Sequence, residues 1–333
     1  MKNSFLLLIF VYTISNGQVA DFKAIDFTRA DHIAKLNEGA SLTNLPLLAH
    51  NLTQKLPTKV EKFRAIYTWV CTNVTGDINQ TNKISRKRKK HKNDSLAYIK
   101  WNTDYKKIAF KKLVKHKKTM CTGYAYLIKE LCFLADIECE IIDGFGRTVS
   151  ANIESLELLN HSWNAVKLNN KWYLCDATWS SGYVIADAIF VKDYNEGYFL
   201  TEPLLFAKNH YPLHKKWLLN ETLITTKFRA SPLVYGEAFK HKIIPILPEK
   251  MNVTVNKNSE LNFSFKSLKN SLTDKISLVR FSGSNEKNLA ITQLKKEGKL
   301  IQFTHKFKHK GSYDVHLKID KDIVATYYTI HVL

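Results

Sequence analysis

Residues 160–179, NHSWNAVKLNNKWYLCDATW, hold three side chains capable of thiol chemistry: His161, Cys175 and Asp176. A thiolate attacks carbonyl carbon, an imidazole carries its proton, and a carboxylate orients the imidazole and favours its charged form. Spacing decides which of the three can cooperate. Asn169 and Asn170 suit a two-residue hairpin turn, because asparagine tolerates positive φ. Leu168 then pairs with Lys171, and extending the pairing sets His161 opposite Thr178 and Trp163 opposite Asp176. Side chains of one face share strand parity. His161, Trp163, Asp176 and Thr178 therefore project together, and His161 and Asp176 are diagonal neighbours within side-chain reach. Cys175 projects to the other face with Tyr173, Asn164 and Ser162. A sulfur for His161 has to come from elsewhere.

Cys121 is the candidate. The stretch CTGYAYLIKELCFLADIE (121–138) predicts an amphipathic helix, with Tyr124, Leu127, Ile128, Leu131 and Cys132 on one apolar stripe. Cys132 is thereby assigned to the core. Cys121 stands where the helix begins, and the helix dipole and unpaired N–H groups there stabilise a thiolate. A protonated His161 beside it would lower its pKa further. Gly123 permits close approach of a substrate backbone, and the Cys121 N–H can donate to an oxyanion. Among five cysteines (Cys71, Cys121, Cys132, Cys139 and Cys175) an odd thiol must stay unpaired, and no CxxC spacing supports a zinc ribbon.

The elements that must position these residues are also legible. PTKVEKFRAIYTWVCTNV (57–74) places Val60, Phe63, Tyr67 and Val70 along one helical face. NKISRKRKKHKND (82–94) reads as a solvated basic loop, and Asp104 as the cap of a second basic helix over 105–117. ECEIIDGFG (138–146) reads as a strand. From about residue 245, short alternating segments such as LNFSFKSL, LIQFTHKF and YDVHLKID predict a β-sandwich. The expected division is a leader over 1–17, a first domain over 18–240 with its core at 55–225, and a sandwich over 245–333.

The leader reading rests on MKNSFLLLIFVYTISNGQ: Lys2, an apolar run from Phe5 to Ile14, then Ser15 and Gly17 before Gln18. It predicts an exported chain, secreted or periplasmic, with no transmembrane segment after cleavage. A net charge of +20 favours anionic surfaces such as acidic lipids, cell-wall polymers or nucleic acid. Arg86 to Lys92 is the place for a polyanion contact. That run lacks interleaved aromatics and no nucleic-acid motif accompanies it, so no specific nucleic acid is expected. No EF-hand loop or cofactor motif occurs, and neither metal nor cofactor is expected.

CTGYA, HSWNAV and WYLCDATW, in that order, resemble the transglutaminase-like superfamily of papain-type cysteine enzymes, and its kyphoscoliosis-peptidase-like branch in particular. FRAIYTWVCTNV resembles the family's preceding helix, and YFLTEPLLFAKNHYP followed by Trp217 resembles that branch's downstream segment. The resemblance spans about 55–225. It implies an α+β fold, with a cysteine-bearing helix packed on an antiparallel sheet and an immunoglobulin-like, all-β domain following. It also implies Cys121 as nucleophile, His161 as general base and acid, and Asp176 as the orienting carboxylate. The implied function is a cysteine peptidase or amide hydrolase working through a thioester on a protein or peptide substrate. A protein-glutamine transamidase and a non-catalytic scaffold are the alternatives. Thr119 stands where the family usually has glycine, and Gly76-Asp77 where it often has Tyr-Asp. Trp69 and Trp101 are the options for an oxyanion-hole side chain.

Overall fold

A computed structural model describes residues 19–149, 151, 156, 159–186, 188–219, 225–269 and 275–333. The expected leader lies outside the described residues. Among these residues no helix is long and apolar enough to cross a membrane.

Three helices come first: α1 (Thr28–Leu36), α2 (Leu45–Thr53) and α3 (Lys59–Asn73). The third begins where the sequence places it, because Thr58 and Glu61 close a reciprocal capping box. A short strand, β1 (Thr75–Gly76), leads to α4 (Ile78–Lys90) and α5 (Ser95–His116), and the chain returns through β2 (Lys118–Thr119), parallel to β1.

The basic run is helix, not loop. Asp77 caps α4, accepting from the Gln80 N–H at 3.2 Å, and Lys112 pairs with the same carboxylate. Asp104 lies inside α5, whose cap is Asp94, accepting from the Ala97 N–H at 2.9 Å. Lysine and arginine are good helix formers, so this stretch folds with few apolar anchors. Within α4 only Gln80 and Ile84 are buried, and within α5 only Leu113.

The next segment builds the central layers. α6 (Cys121–Leu134) is followed by β3 (Cys139–Gly146), β4 (His161–Leu168) and β5 (Lys171–Cys175). The chain then forms α7 (Ala177–Ser181), a ribbon of β6 (Gly182–Ile185) and β7 (Ile189–Lys192), α8 (Pro203–Phe206) and β8 (His210–Pro212). The central sheet is antiparallel in the order β5-β4-β3-β8. On one face, Val166, Leu168, Tyr173 and Cys175 share a core with Phe63, Tyr67, Tyr124 and Ile128 of α3 and α6. On the other, Trp163, Ala165 and Leu174 belong to a second apolar cluster.

That second cluster continues into the C-terminal part. α9 (Thr225–Ala230), β9 (Leu233–Val234) and α10 (Gly236–His241) lead to β10 (Ile243–Leu247), β11 (Asn252–Val255), β12 (Glu260–Ser267), β13 (Ile276–Ser282), β14 (Asn285–Leu289), β15 (Thr292–Glu297), β16 (Leu300–Lys306), β17 (Gly311–Ile319) and β18 (Asp322–Val332). One sheet runs β10-β12-β16-β15, the other β11-β18-β17-β13-β14 with β9 on β18. Pairing is antiparallel except between β11 and β18. Phe263, Phe265 and Phe303 of the first sheet and Val315, Leu317 and Tyr327 of the second fill the space between them. Alternating inward residues from two sheets are what a sandwich requires.

Candidate active site

The β4–β5 hairpin has the register its turn dictates. Asn169 and Asn170 both have positive φ, 49° and 61°, as a two-residue primed turn needs. Leu168 pairs with Lys171, and the ladder runs to Asn164 opposite Cys175. It then stops. Asp176 leaves the strand to cap α7, and its Oδ1 accepts from the N–H groups of Thr178 (2.8 Å) and Trp179 (3.2 Å). The expected pairings of His161 with Thr178 and Trp163 with Asp176 are therefore not made, because an aspartate at this position is more useful as a helix cap. The face assignment survives the change. His161 Nε2 lies 2.7 Å from Asp176 Oδ2, with both groups buried. Cys175 points into the helical core, where its thiol contacts the Asn164 carbonyl.

Cys121 is the first residue of α6, and the N-cap, Met120, offers no side-chain acceptor. The first N–H groups of a helix have no partner within it, so this end is electrically open toward the sulfur. Ser162, next to His161, lies against Thr122 (Oγ to Oγ1, 3.4 Å), and this contact holds the helix head beside the start of β4. The His161 ring and the Ser162 backbone are the nearest groups that favour the Cys121 thiolate. Nε2 being engaged by Asp176, Nδ1 is the nitrogen left for the thiol.

The electrostatics separate Cys121 from other cysteines. Burial pushes its pKa up, but the His161 hydrogen bond, the His161 and Arg88 charges and the Ser162 backbone outweigh this, and the net shift is downward. Burial pushes the thiols of Cys71, Cys132 and Cys175 up. Burial alone would lower His161. The Asp176 charge and hydrogen bond and the contact with Cys121 instead raise it to about 10. Asp176 is buried too, yet His161 and His210 together hold it well below the usual carboxylate range. The site thus favours a thiolate beside an imidazolium beside a carboxylate.

Two neighbours shape the pocket. Trp179 stacks on the His161 ring, centroids 4.6 Å apart, and shields the His161–Asp176 bond. Gly146 makes the room: a Cβ there would stand 3.0 Å from both His161 and Trp179. On the other side Ile84 of α4 and Trp101 and Tyr105 of α5 pack with Met120 and Cys121, leaving Cys121 only 7% exposed. Of the two tryptophans considered for the oxyanion, Trp69 is committed elsewhere, its Nε1 donating to the Asn37 carbonyl at 2.6 Å. Trp101 packs against the cluster that contains Cys121.

Sequence reasoning missed His210, which is fully buried with Nε2 3.0 Å from Asp176 Oδ2. No periodicity marks it, since β8 has only three residues. His161, Asp176 and His210 bring three ligand-type atoms within 4.8 Å of one another. Both nitrogens already reach Oδ2 at hydrogen-bond distance, so protons satisfy this set as it stands.

A helix headed by a cysteine and packed on an antiparallel sheet that carries the histidine is a transglutaminase-like core, and residues 47–177 match the family model described as the transglutaminase-like superfamily. Residues 47–177 thus form a transglutaminase-like domain, and similarity to kyphoscoliosis peptidases supports that branch of the superfamily. Human kyphoscoliosis peptidase is 28% identical over 298 residues, covering 83% of this chain and 40% of that protein. The mouse protein is 30% identical over 220 residues, covering 63% and 30%. Hillarin of Drosophila melanogaster is 23% identical, covering 65% and 26%. The chain thus spans less than half the length of these relatives. A crystal structure of a TGase has a TM-score of 0.29 at 17% identity, covering 54% of this chain and 40% of that one.

Proposed function

We propose that this protein is a cysteine-dependent enzyme acting on amide or peptide bonds, with hydrolysis as its default reaction. The observation that supports the reading best is the buried His161–Asp176 pair at 2.7 Å with Cys121 at an uncapped helix head, an arrangement in which His161 draws the thiol below its ordinary pKa. The Cys121 thiolate attacks the carbonyl carbon, forming a C–S bond and an oxyanion that the Cys121 N–H can receive. His161 gives its proton to the amide nitrogen as the C–N bond breaks, leaving a thioester. Water then attacks the thioester and gives a proton to His161, and the carboxylic acid product and the thiolate are released. Asp176 keeps the imidazole oriented and charged. An amine in place of water would give transamidation through the same thioester.

The test is a panel of unlabelled peptides, with and without a fluorescent amine, read by mass spectrometry. Cleavage abolished by Cys121→Ala, with a thioester adduct trapped on Cys121, is expected; amine incorporation would redirect the reading to transamidation. A panel without turnover, together with Cys121 alkylation no faster than that of a free model thiol, would sink the enzymatic reading.

A scaffolding role is the second reading, and it draws on one observation: α4 and α5 cover the thiol. Residues 78–117 carry fourteen lysines and arginines against two aspartates, which suits an acidic partner, such as an anionic polymer or an acidic polypeptide, contacted through Arg86 to Lys92. Export through the N-terminal leader is part of the same proposal. Fractionation with N-terminal sequencing checks it, and an uncleaved cytoplasmic chain would refute it.

A further inference from the structure

His210 sits on β8, paired with β3 through Gly146, at a point where the sheet, α7 and α8 converge. Its ring stacks on Phe206 at 4.0 Å and packs against Trp179 at 4.4 Å, with Trp163 edge-on at 5.0 Å. The polar groups around it are few. Nε2 faces Asp176 Oδ2 at 3.0 Å, Nδ1 lies 2.7 Å from Asn209 Oδ1, whose Nδ2 donates to the Tyr198 hydroxyl at 3.4 Å, and the Phe206 backbone is the other polar group acting on the ring. His161 is the other ionisable ring, 5.3 Å away between centroids.

The Cys121 thiolate and Asp176 are both partners of His161, which holds Oδ2 at the shorter distance of 2.7 Å, so a second charge on His210 would share one carboxylate oxygen inside walls of Phe206, Trp179 and Trp163 that cannot solvate it. His210 is therefore the neutral partner. Since Nε2 faces an anionic oxygen, the proton belongs on Nε2; the neutral ring then requires the Asn209 amide to be turned over from its placed orientation, so that its NH2 donates to Nδ1 and its oxygen accepts from the Tyr198 hydroxyl. We propose that His210 is a positioning residue: a neutral imidazole that donates from Nε2 to Asp176 Oδ2 and, through that carboxylate, fixes the His161 ring toward Cys121. The acceptor sites of Asp176 are then filled from both sides, Oδ2 by the two histidines and Oδ1 by the α7 N–H groups. A carboxylate locked in this way has no freedom to rotate away from His161. Burial and the charge of His161 push His210 down to about 4, against the opposing pull of Asp176 and the Phe206 backbone, in keeping with this state.

The inference deepens the enzymatic reading, but its test does not need turnover. In the full chain, His210→Phe fills the aromatic slot without a donor, and His210→Gln keeps an N–H near the Nε2 position. Iodoacetamide labelling of Cys121 is followed by mass spectrometry from pH 4 to 9. His210→Phe is expected to label about 10-fold more slowly at pH 6 and to need about one more pH unit for half-maximal rate, with His210→Gln restoring most of the loss. A wild-type profile in His210→Phe, or equal impairment in both variants, overturns the proposal. Should His210→Phe not fold, 15N imidazole shifts of the unmodified protein decide instead. The neutral Nε2–H tautomer is expected at pH 7, and a doubly protonated or Nδ1–H ring overturns it. A chain that cleaves no peptide yet gives the donor-dependent profile loses the enzymatic reading and keeps this one.

Discussion

His161 Nε2 stands 2.7 Å from Asp176 Oδ2, and the same ring and the Cys121 thiol shift each other's titration. Two titrations therefore oppose each other in the folded state. His161 is raised from 6.5 to about 10, so its contribution to stability is complete below 6.5 and is lost as pH rises through about 10. Cys121 is lowered from 9.0, so its contribution is complete above 9.0 and is lost as pH falls through the folded value. Below 9.0, and above both 6.5 and the folded Cys121 value, the folded pair and the unfolded pair each hold one proton, and stability from this source is flat. Thermal unfolding of the wild type is expected to show that plateau. Cys121→Ala leaves only the declining histidine and should lose stability steadily above pH 6.5. Parallel slopes in the two proteins would rule out the ion pair.

Asp176 has two separable duties, capping α7 through Oδ1 and charging His161 through Oδ2. Asparagine caps as well as aspartate. Asp176→Asn should therefore stay folded while kcat falls about 10²- to 10⁴-fold, in line with loss of the orienting carboxylate from a triad. Cys121 alkylation at pH 6 should drop toward that of a free thiol. Asp176→Ala loses the cap as well, at about 1 kcal/mol more in urea unfolding. An Asp176→Asn protein with unchanged kcat would place the carboxylate outside the reaction.

Thr119 departs from the family pattern, and the reason it is tolerated lies four residues on. A Cβ on Gly123 would stand 1.9 Å from Thr119 Oγ1 and 2.8 Å from its Cβ. Gly123→Ala should cost about 1–3 kcal/mol by overpacking. Thr119→Gly removes the obstacle, so the double variant should be less destabilised than the sum of the single ones. Additive costs in urea titrations would show that the two positions are not coupled.

The pattern of legible and illegible features follows from what each depends on. The helix head at Cys121, the Asn169-Asn170 turn and the parity that turns Cys175 away are local properties, fixed by periodicity and φ preference. Asp176 was placed on the right face, but its departure from the strand depends on the N–H groups of α7, which no alternation reveals. His210 reaches Asp176 only through the order of the central sheet, which sets β8 beside β3. The basic run is illegible as helix because its charge suggests solvation while its few apolar anchors carry the packing. Trp101 and Tyr105, one helical turn apart, are the signal that this stretch packs on something, and what they pack on is the cluster of Ile84, Met120 and Cys121.

That cover should govern access. Arg88 Nη1 donates to the Leu159 carbonyl at 2.7 Å, two residues before His161, and Nε donates to the Tyr98 hydroxyl at 3.1 Å. These bonds tie α4 to α5 and to the strand entrance, while little apolar burial holds α5 down. Segments with few buried contacts open at low cost, and loss of the Arg88 bonds should lower that cost further. Arg88 also helps to lower the thiol pKa, so a single reagent would mix access with ionisation. The ratio of rates for a bulky and a small maleimide at one pH cancels the thiolate fraction. For Arg88→Ala, and for Trp101→Ala, the bulky-to-small ratio at Cys121 should rise several-fold, on the order of 3- to 10-fold for a loss of about 1 kcal/mol of lid contact. A ratio unmoved in both variants would mean that substrate reaches the thiol by a route these helices do not guard.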